Sequence, residues 1–128
     1  MEIWTMRLSC GGAKKVCHMP CDFQLHDLCP FILECFEFDH DHLHQFFLSK
    51  TGDPYRKPSY ILENENLQLR EIFPIQDKFQ LYFHFDFGDS WVFKIMKTRK
   101  NPFQDDTIRK PKLIEEIGEN PEQYPEYD

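Results

Sequence analysis

The chain has 128 residues, 41% of them hydrophobic and 13 of them phenylalanine, enough for one domain with an aromatic-rich core, which excludes disorder throughout. Its net charge of −7 sits mostly in residues 101–128, which excludes phosphate binding over the whole surface but leaves a candidate basic strip at Lys94, Lys97, Arg99, Lys100, Arg109, Lys110 and Lys112, or simply a solvated charged face there. No apolar run reaches the roughly 20 residues that cross a bilayer, and the opening residues lack a secretory h-region, so a cytoplasmic protein without membrane contact is expected.

Glu2–Ser9 and Ala13–Met19 flank Cys10-Gly11-Gly12, a tight hairpin signal that predicts two antiparallel opening strands. Five cysteines (Cys10, Cys17, Cys21, Cys29, Cys35) follow one another with no matching pair downstream. They read as free, buried small hydrophobes; a zinc site at Cys17 and Cys21 would need a second pair. Leu25, Leu28, Cys29, Ile32, Leu33 and Phe36 recur at helical spacing, predicting a helix over Leu28–Glu37 with a lead-in from Phe23. Asp27 is its expected N-cap, which places Pro30 in the first turn, where a missing N–H costs nothing.

Residues 49–66 are rich in Gly, Pro, Lys, Asp and Asn and read as a long connection with at most a short strand at Tyr60–Leu62. Leu67–Phe73 predicts a helical turn closed by Pro74. No internal repeat is evident. After Asn101, four prolines and dispersed charges predict an acidic, partly ordered tail over 101–128, with Lys112–Ile117 as its ordered candidate, behind a domain at 1–100.

Two constellations carry chemistry. In "DHDHLHQF", residues 39–46, an extended backbone would project His40, His42 and His44 to one side, and His42 with His44 are the candidate ligands for a divalent transition metal. The same histidines serve equally as loop or core hydrogen-bonding groups. In the stretch around "HFDFGDSW", Phe79, Leu81, Phe83, Phe85 and Phe87 alternate with polar residues, and Trp91, Phe93 and Ile95 continue the pattern. A three-residue Gly88-Asp89-Ser90 loop would pair Phe87 with Trp91, Phe85 with Phe93 and Phe83 with Ile95, setting His84 opposite Lys94. Tyr82, His84, Asp86, Val92, Lys94 and Met96 then share an exposed face, either a binding face or the solvated side. Asp89, inside the loop, is expected to hold turn amides; Asp86, before it, is expected to be the functional carboxylate, free to meet a partner or orient His42 or His44.

Taken together, "LHDL" at 25–28, "DHLHQF" at 41–46, "LQLREIFP" at 67–74 and "FHFDFGDSW" at 83–91 resemble the plasmid (Ri-type) ORF-three-like family, also known as transposon-passenger TnpR-type proteins. The resemblance spans about residues 2–100. It implies an α+β fold, a single-domain roll with a mixed, mostly antiparallel β-sheet packed against one main helix and a short second one, and it implies no enzyme activity or cofactor. The family-type positions are Leu25, His26, His42, Leu43, Phe46, Asp86, Phe87, Gly88, Asp89 and Trp91. The chain departs from its relatives in the second strand, Ala13-Lys14-Lys15-Val16, and at Asn120-Pro121-Glu122-Gln123-Tyr124.

The function expected first is a mobile-element accessory protein that binds a protein or nucleic acid through His42, His44, Tyr82, His84, Asp86, Asp89, Trp91 and Lys94. The alternative is a metal-dependent hydrolase or nuclease built from the DHDHLH and DFGD segments. No nucleophile motif or phosphate loop accompanies it, and no catalytic residue is assigned.

Overall fold

A computed structural model describes residues 1–125. Its strands are β1 (Glu2–Cys10), β2 (Ala13–Pro20), β3 (His44–Ser49), β4 (Ser59–Ile61), β5 (Gln80–Phe85), β6 (Trp91–Lys97), β7 (Phe103–Gln104) and β8 (Lys112–Ile117), with helices α1 (Leu25–Cys35) and α2 (Leu69–Ile72). The strands form one sheet in the order β4-β3-β5-β6-β1-β2-β8, with β7 added beside β1. Every strand pair among the described residues is antiparallel, so the expected mixed sheet is in fact uniform. The fold is α+β, as the alternating strand patterns and single apolar helical stripe dictate. No helix is long and apolar enough to cross a membrane.

Alternation puts Trp4, Met6, Leu8, Cys17, Phe46, Leu81, Phe83, Phe85, Phe93 and Ile95 on the inner face, where they meet Leu25, Leu28, Ile32 and Leu33 of α1. Phe83 centres an aromatic cluster, with Phe46 at 5.0 Å and Phe93 at 5.7 Å between ring centroids. Lys15 also lies inward, 2% exposed; its Nζ reaches Glu116 Oε1 at 2.8 Å and sits over the Phe36 ring. That pair ties β8 to β2, so the segment beyond Asn101 contributes two strands to the sheet. All five cysteines are free, and four of them are buried.

The two helices start on each other's approach strands. Leu25 N–H donates to Leu67 O (3.1 Å) and His26 N–H to Glu65 O (2.8 Å), while Leu69 N–H donates to Phe23 O (3.0 Å) and Arg70 N–H to Cys21 O (2.9 Å). The exchange is two-fold symmetric around an antiparallel Gln24–Gln68 bridge. The first two amides of each helix are thus satisfied by backbone, with a Gln68–Glu71 capping box added at α2, and Phe23-Gln24-Leu25 and Leu67-Gln68-Leu69 are the matching sequence halves of the exchange.

Two local expectations are corrected. The N-cap of α1 is Gln24 rather than Asp27, because the carbonyls of Leu67 and Glu65 start the helix three residues earlier. Pro30 therefore lies in the second turn. It and His26, whose carbonyl it leaves without a helical donor, are both exposed, so water can serve that carbonyl. The β5–β6 register is Phe85 with Trp91, Phe83 with Phe93 and Leu81 with Ile95, so the loop holds five residues, 86–90. His84 faces Val92, and Lys94 faces Tyr82. A slip of two residues preserves the side to which each residue points, which is why Phe83, Phe85, Phe93 and Ile95 lie on the predicted inner face with other partners than predicted, whereas Phe87, expected on that face, falls in the loop and is exposed.

Candidate functional site

The five-residue loop is built by Asp86. Its backbone is left-handed at φ 59°, as is that of Ser90 at 56°, whereas Gly88 has no positive φ. Asp86 Oδ1 accepts from the amides of Gly88 (3.2 Å) and Asp89 (3.3 Å), and its own N–H donates to Leu43 O (3.0 Å). The expected division of labour is therefore reversed at the turn: Asp86, 6% exposed, accepts the loop amides, and Asp89 is exposed. The carboxylate that precedes a left-handed reversal is the one within reach of the amides that follow it.

His84 is buried at 0% exposure, so the polar face of β5 is not the open surface that alternation suggested. Gln45 Nε2 lies 3.1 Å from His84 Nδ1, and His84 Nε2 lies 2.8 Å from Ser90 Oγ. With the Gln45 amide donating, the imidazole is neutral, its proton on Nε2 and directed to the serine oxygen. Burial pulls its pKa below the usual histidine value of 6.5, with Asp86 pulling the other way. Phe87 covers the ring at 4.8 Å and Tyr55 meets it edge-on at 5.9 Å.

Residues 39–43 form a loop and the strand begins only at His44, so His40, His42 and His44 do not line one side of an extended segment. His42 Nε2 faces Tyr124 Oη at 2.8 Å, Asp86 Oδ2 at 3.3 Å and Asp41 Oδ1 at 3.5 Å. Tyr124 donates its hydroxyl proton to Asp41 Oδ2 at 2.6 Å, so its oxygen accepts from His42. That bond and the charge of Asp41 push the phenol up to about 12, and the same bond holds the Asp41 carboxyl below its ordinary value. Gln123 accepts from Asp39 N–H (2.6 Å) and donates to Asp39 O (3.2 Å), clamping the chain end onto this loop. His44 has other partners: Nε2 meets Glu65 Oε1 at 2.8 Å and Nδ1 meets Cys29 Sγ at 3.6 Å.

His42, His84 and Asp86 thus converge around the hairpin end, whereas His44 turns toward Glu65 and Lys94 lies further along β6 beside Tyr82. Trp91 packs on Phe38 at 5.0 Å, and its buried indole N–H has no partner among the described residues. The pair proposed as metal ligands, His42 and His44, is divided between different carboxylates, and no group of three His, Cys, Asp or Glu side chains among the described residues is arranged to hold a metal. A cleft of about 880 Å³ lies elsewhere, between α1 and residues 109–113; Arg109 and Lys110 of the candidate basic strip line it, and none of the eight residues expected to bind at the hairpin does.

Gln45, Ser90, Tyr55 and Tyr124 were missed. No alternation in His-Gln-Phe-Phe-Leu-Ser of β3 marks Gln45, and no short-range pattern marks a contact across more than 80 residues such as His42–Tyr124. At the hairpin end the imidazoles are engaged, while apolar members of the same motifs are bare: Leu43 is 76% exposed and Phe87 43%. The arrangement can present an apolar tip on a base in which His42, His84 and Asp86 are hydrogen-bonded.

A sequence model of the family described as "Plasmid pRiA4b ORF-3-like protein" matches residues 14–124. Among solved structures, the chain is similar to the protein of unknown function MM3350 from Methanosarcina mazei Go1, with a TM-score of 0.69 and 20% identity over 90% of this chain and 69% of that one. At that identity the likeness speaks for the fold. A search of the curated proteins finds no match.

Proposed function

The chain belongs to the plasmid pRiA4b ORF-3-like family, and on that footing we propose that it is a cytoplasmic accessory protein of a mobile element that works by binding a protein partner through the tip of the β5–β6 hairpin. The observation that carries this reading is the contrast inside the motif: the imidazoles of His42 and His84 already have hydrogen-bond partners, and Leu43 and Phe87 are left in water. Buried polar groups that hold a loop rigid lower the ordering cost of binding, and exposed apolar side chains on it supply the contact. Tyr55, 70% exposed beside Phe87 over His84, extends the patch. Five free cysteines accord with a reducing compartment, and the plasmid in the family's description supports the mobile-element setting.

The test is co-purification of the chain with each protein encoded beside it on its element, for wild type and for the Leu43→Ser, Phe87→Ser double variant. Loss of one defined partner by a variant whose melting temperature is unchanged is the expected result. Retention of every partner overturns the reading.

A further inference from the structure

The outer face of the β6-β1-β2-β8 half of the sheet carries a charge opposite to that of the molecule. The strand register turns Arg7 of β1, Lys14 of β2, Lys94 of β6 and Lys112 of β8 outward together, with His18 beside Lys112. The outward acidic side chain on these strands is Glu115, opposite Val16. Among the described residues, none of the four cations is in an ion pair. A chain with 22 acidic and 15 basic residues has carboxylates to spare for neutralising such a face, yet it gathers cations there instead. Like charges gathered on neighbouring strands cost stability, and an anionic ligand would relieve that cost.

What lies between the cations narrows the ligand. Lys94 and Lys14 flank Ser9 on either side, about 10 Å apart at two strand spacings. The next row holds Met96, Arg7 and Val16, with Arg7 Nη2 resting 3.8 Å from Met96 Sδ. Beyond it, His18 packs edge-on against Phe103 at 4.9 Å. Cations alternate with apolar and flat side chains, as a backbone of phosphates carrying unstacked bases requires. A broad four-stranded face does not enter the groove of a duplex, which admits a helix or a two-stranded ribbon.

We propose that this face is a binding surface for single-stranded nucleic acid, with phosphates on Arg7, Lys14, Lys94 and Lys112 and bases laid on Met96, Val16, His18 and Phe103. It is separate from the hairpin tip, and Phe87→Ser leaves it intact.

The experiment is fluorescence anisotropy of the full chain with a labelled oligothymidine of about 15 nucleotides, titrated between about 50 and 200 mM salt. Binding at micromolar protein in the low-salt buffer is expected, with log affinity falling against log salt with a slope of about −3, since each neutralised phosphate of a single strand contributes about −0.7. The double variant Lys14→Glu, Lys94→Glu binds at least about ten-fold more weakly with an unchanged melting curve, and Lys110→Glu, the same kind of charge reversal off this face, binds like wild type. Should the double variant melt early, Lys14→Gln, Lys94→Gln takes its place, with the slope shallower by about 1.4. No binding at low salt, an equal loss from Lys110→Glu, a duplex bound as tightly as the single strand, or a polyglutamate peptide bound as tightly as the oligonucleotide each overturns the proposal.

Discussion

The outer face of the sheet has two halves built on the same alternation and treated in opposite ways. On the β3–β5 half, Phe47 is fully buried and stacks on Tyr82 at 5.3 Å, and His84 lies under Tyr55 and Phe87. On the β6-β1-β2-β8 half, Lys14 is exposed and Arg7, Val16, His18 and Lys94 are partly so. The difference lies in the connections. Gly11 and Gly12 alone join β1 to β2, a link too short to fold over the Lys14 and Lys94 end of that half, whereas residues 50–58 between β3 and β4 are long enough to return across Tyr82 and His84. A strand's pattern says which side chains leave the core face; loop length decides whether they reach water.

Substitutions sharpen this contrast. The largest effect is expected at Phe47→Ala, about 3–5 kcal/mol in denaturant melts, a core-sized loss from an outer-face position, whereas Val16→Ala on the open half costs well under about 1.5 kcal/mol. Equal losses at the two sites would show that the covered half is not covered. Next comes Asp86→Ala, expected at about 1–3 kcal/mol because two loop amides lose their acceptor and alanine must adopt φ 59°, against about 0.5 kcal/mol or less for Asp89→Ala. A larger loss at Asp89 would restore the division of labour that its place in the loop suggests.

The two glycines beside this region separate more finely. Gly52 has φ +84° and an added Cβ would lie 3.1 Å from the Tyr82 ring, so Gly52→Ala is expected to cost more than about 1 kcal/mol by thermal melting. Gly88, despite its place in the motif, has ordinary backbone and its nearest neighbour would be Asp86 Oδ1 at 3.4 Å; Gly88→Ala should be nearly silent.

The pH dependence reads the covered half directly. The folded pKa of His84 lies below its unfolded value of 6.5, so the unfolded chain binds the proton first as pH falls. Its contribution to stability is whole above pH 6.5 and declines as pH drops from there toward the folded pKa. Urea midpoints across that window should fall with pH in wild type and fall less in His84→Gln; identical slopes would place His84 in contact with water.

The two chemistry-bearing segments were legible in the sequence, and the partners of their side chains were not. The segments "DHLHQF" and "HFDFGDSW" do meet, through Asp86 N–H and Leu43 O and through His42 and Asp86. His42, His44, His84 and Asp86, selected as contact groups, are engaged by neighbouring groups of the chain, and Leu43 and Phe87 between them are exposed along with Asp89. Residue type alone cannot separate these outcomes, because a hydrogen bond to a neighbour and a hydrogen bond to a ligand call for the same side chain.

Local periodicity determined the helix that supplies the apolar stripe and the inward set of Phe83, Phe85 and Phe93, because each rests on spacing within a few residues, while the α+β class was implied by the family resemblance of the motifs. Only the tertiary structure decided that α1 starts at Leu25 on carbonyls from 65 and 67, that the hairpin closes over five residues, that Tyr124 docks on His42, and that Arg7, Lys14, Lys94 and Lys112 share one face. Those features join positions tens of residues apart, and the free energy that selects them comes from satisfying backbone amides and burying rings in partners that no local window contains.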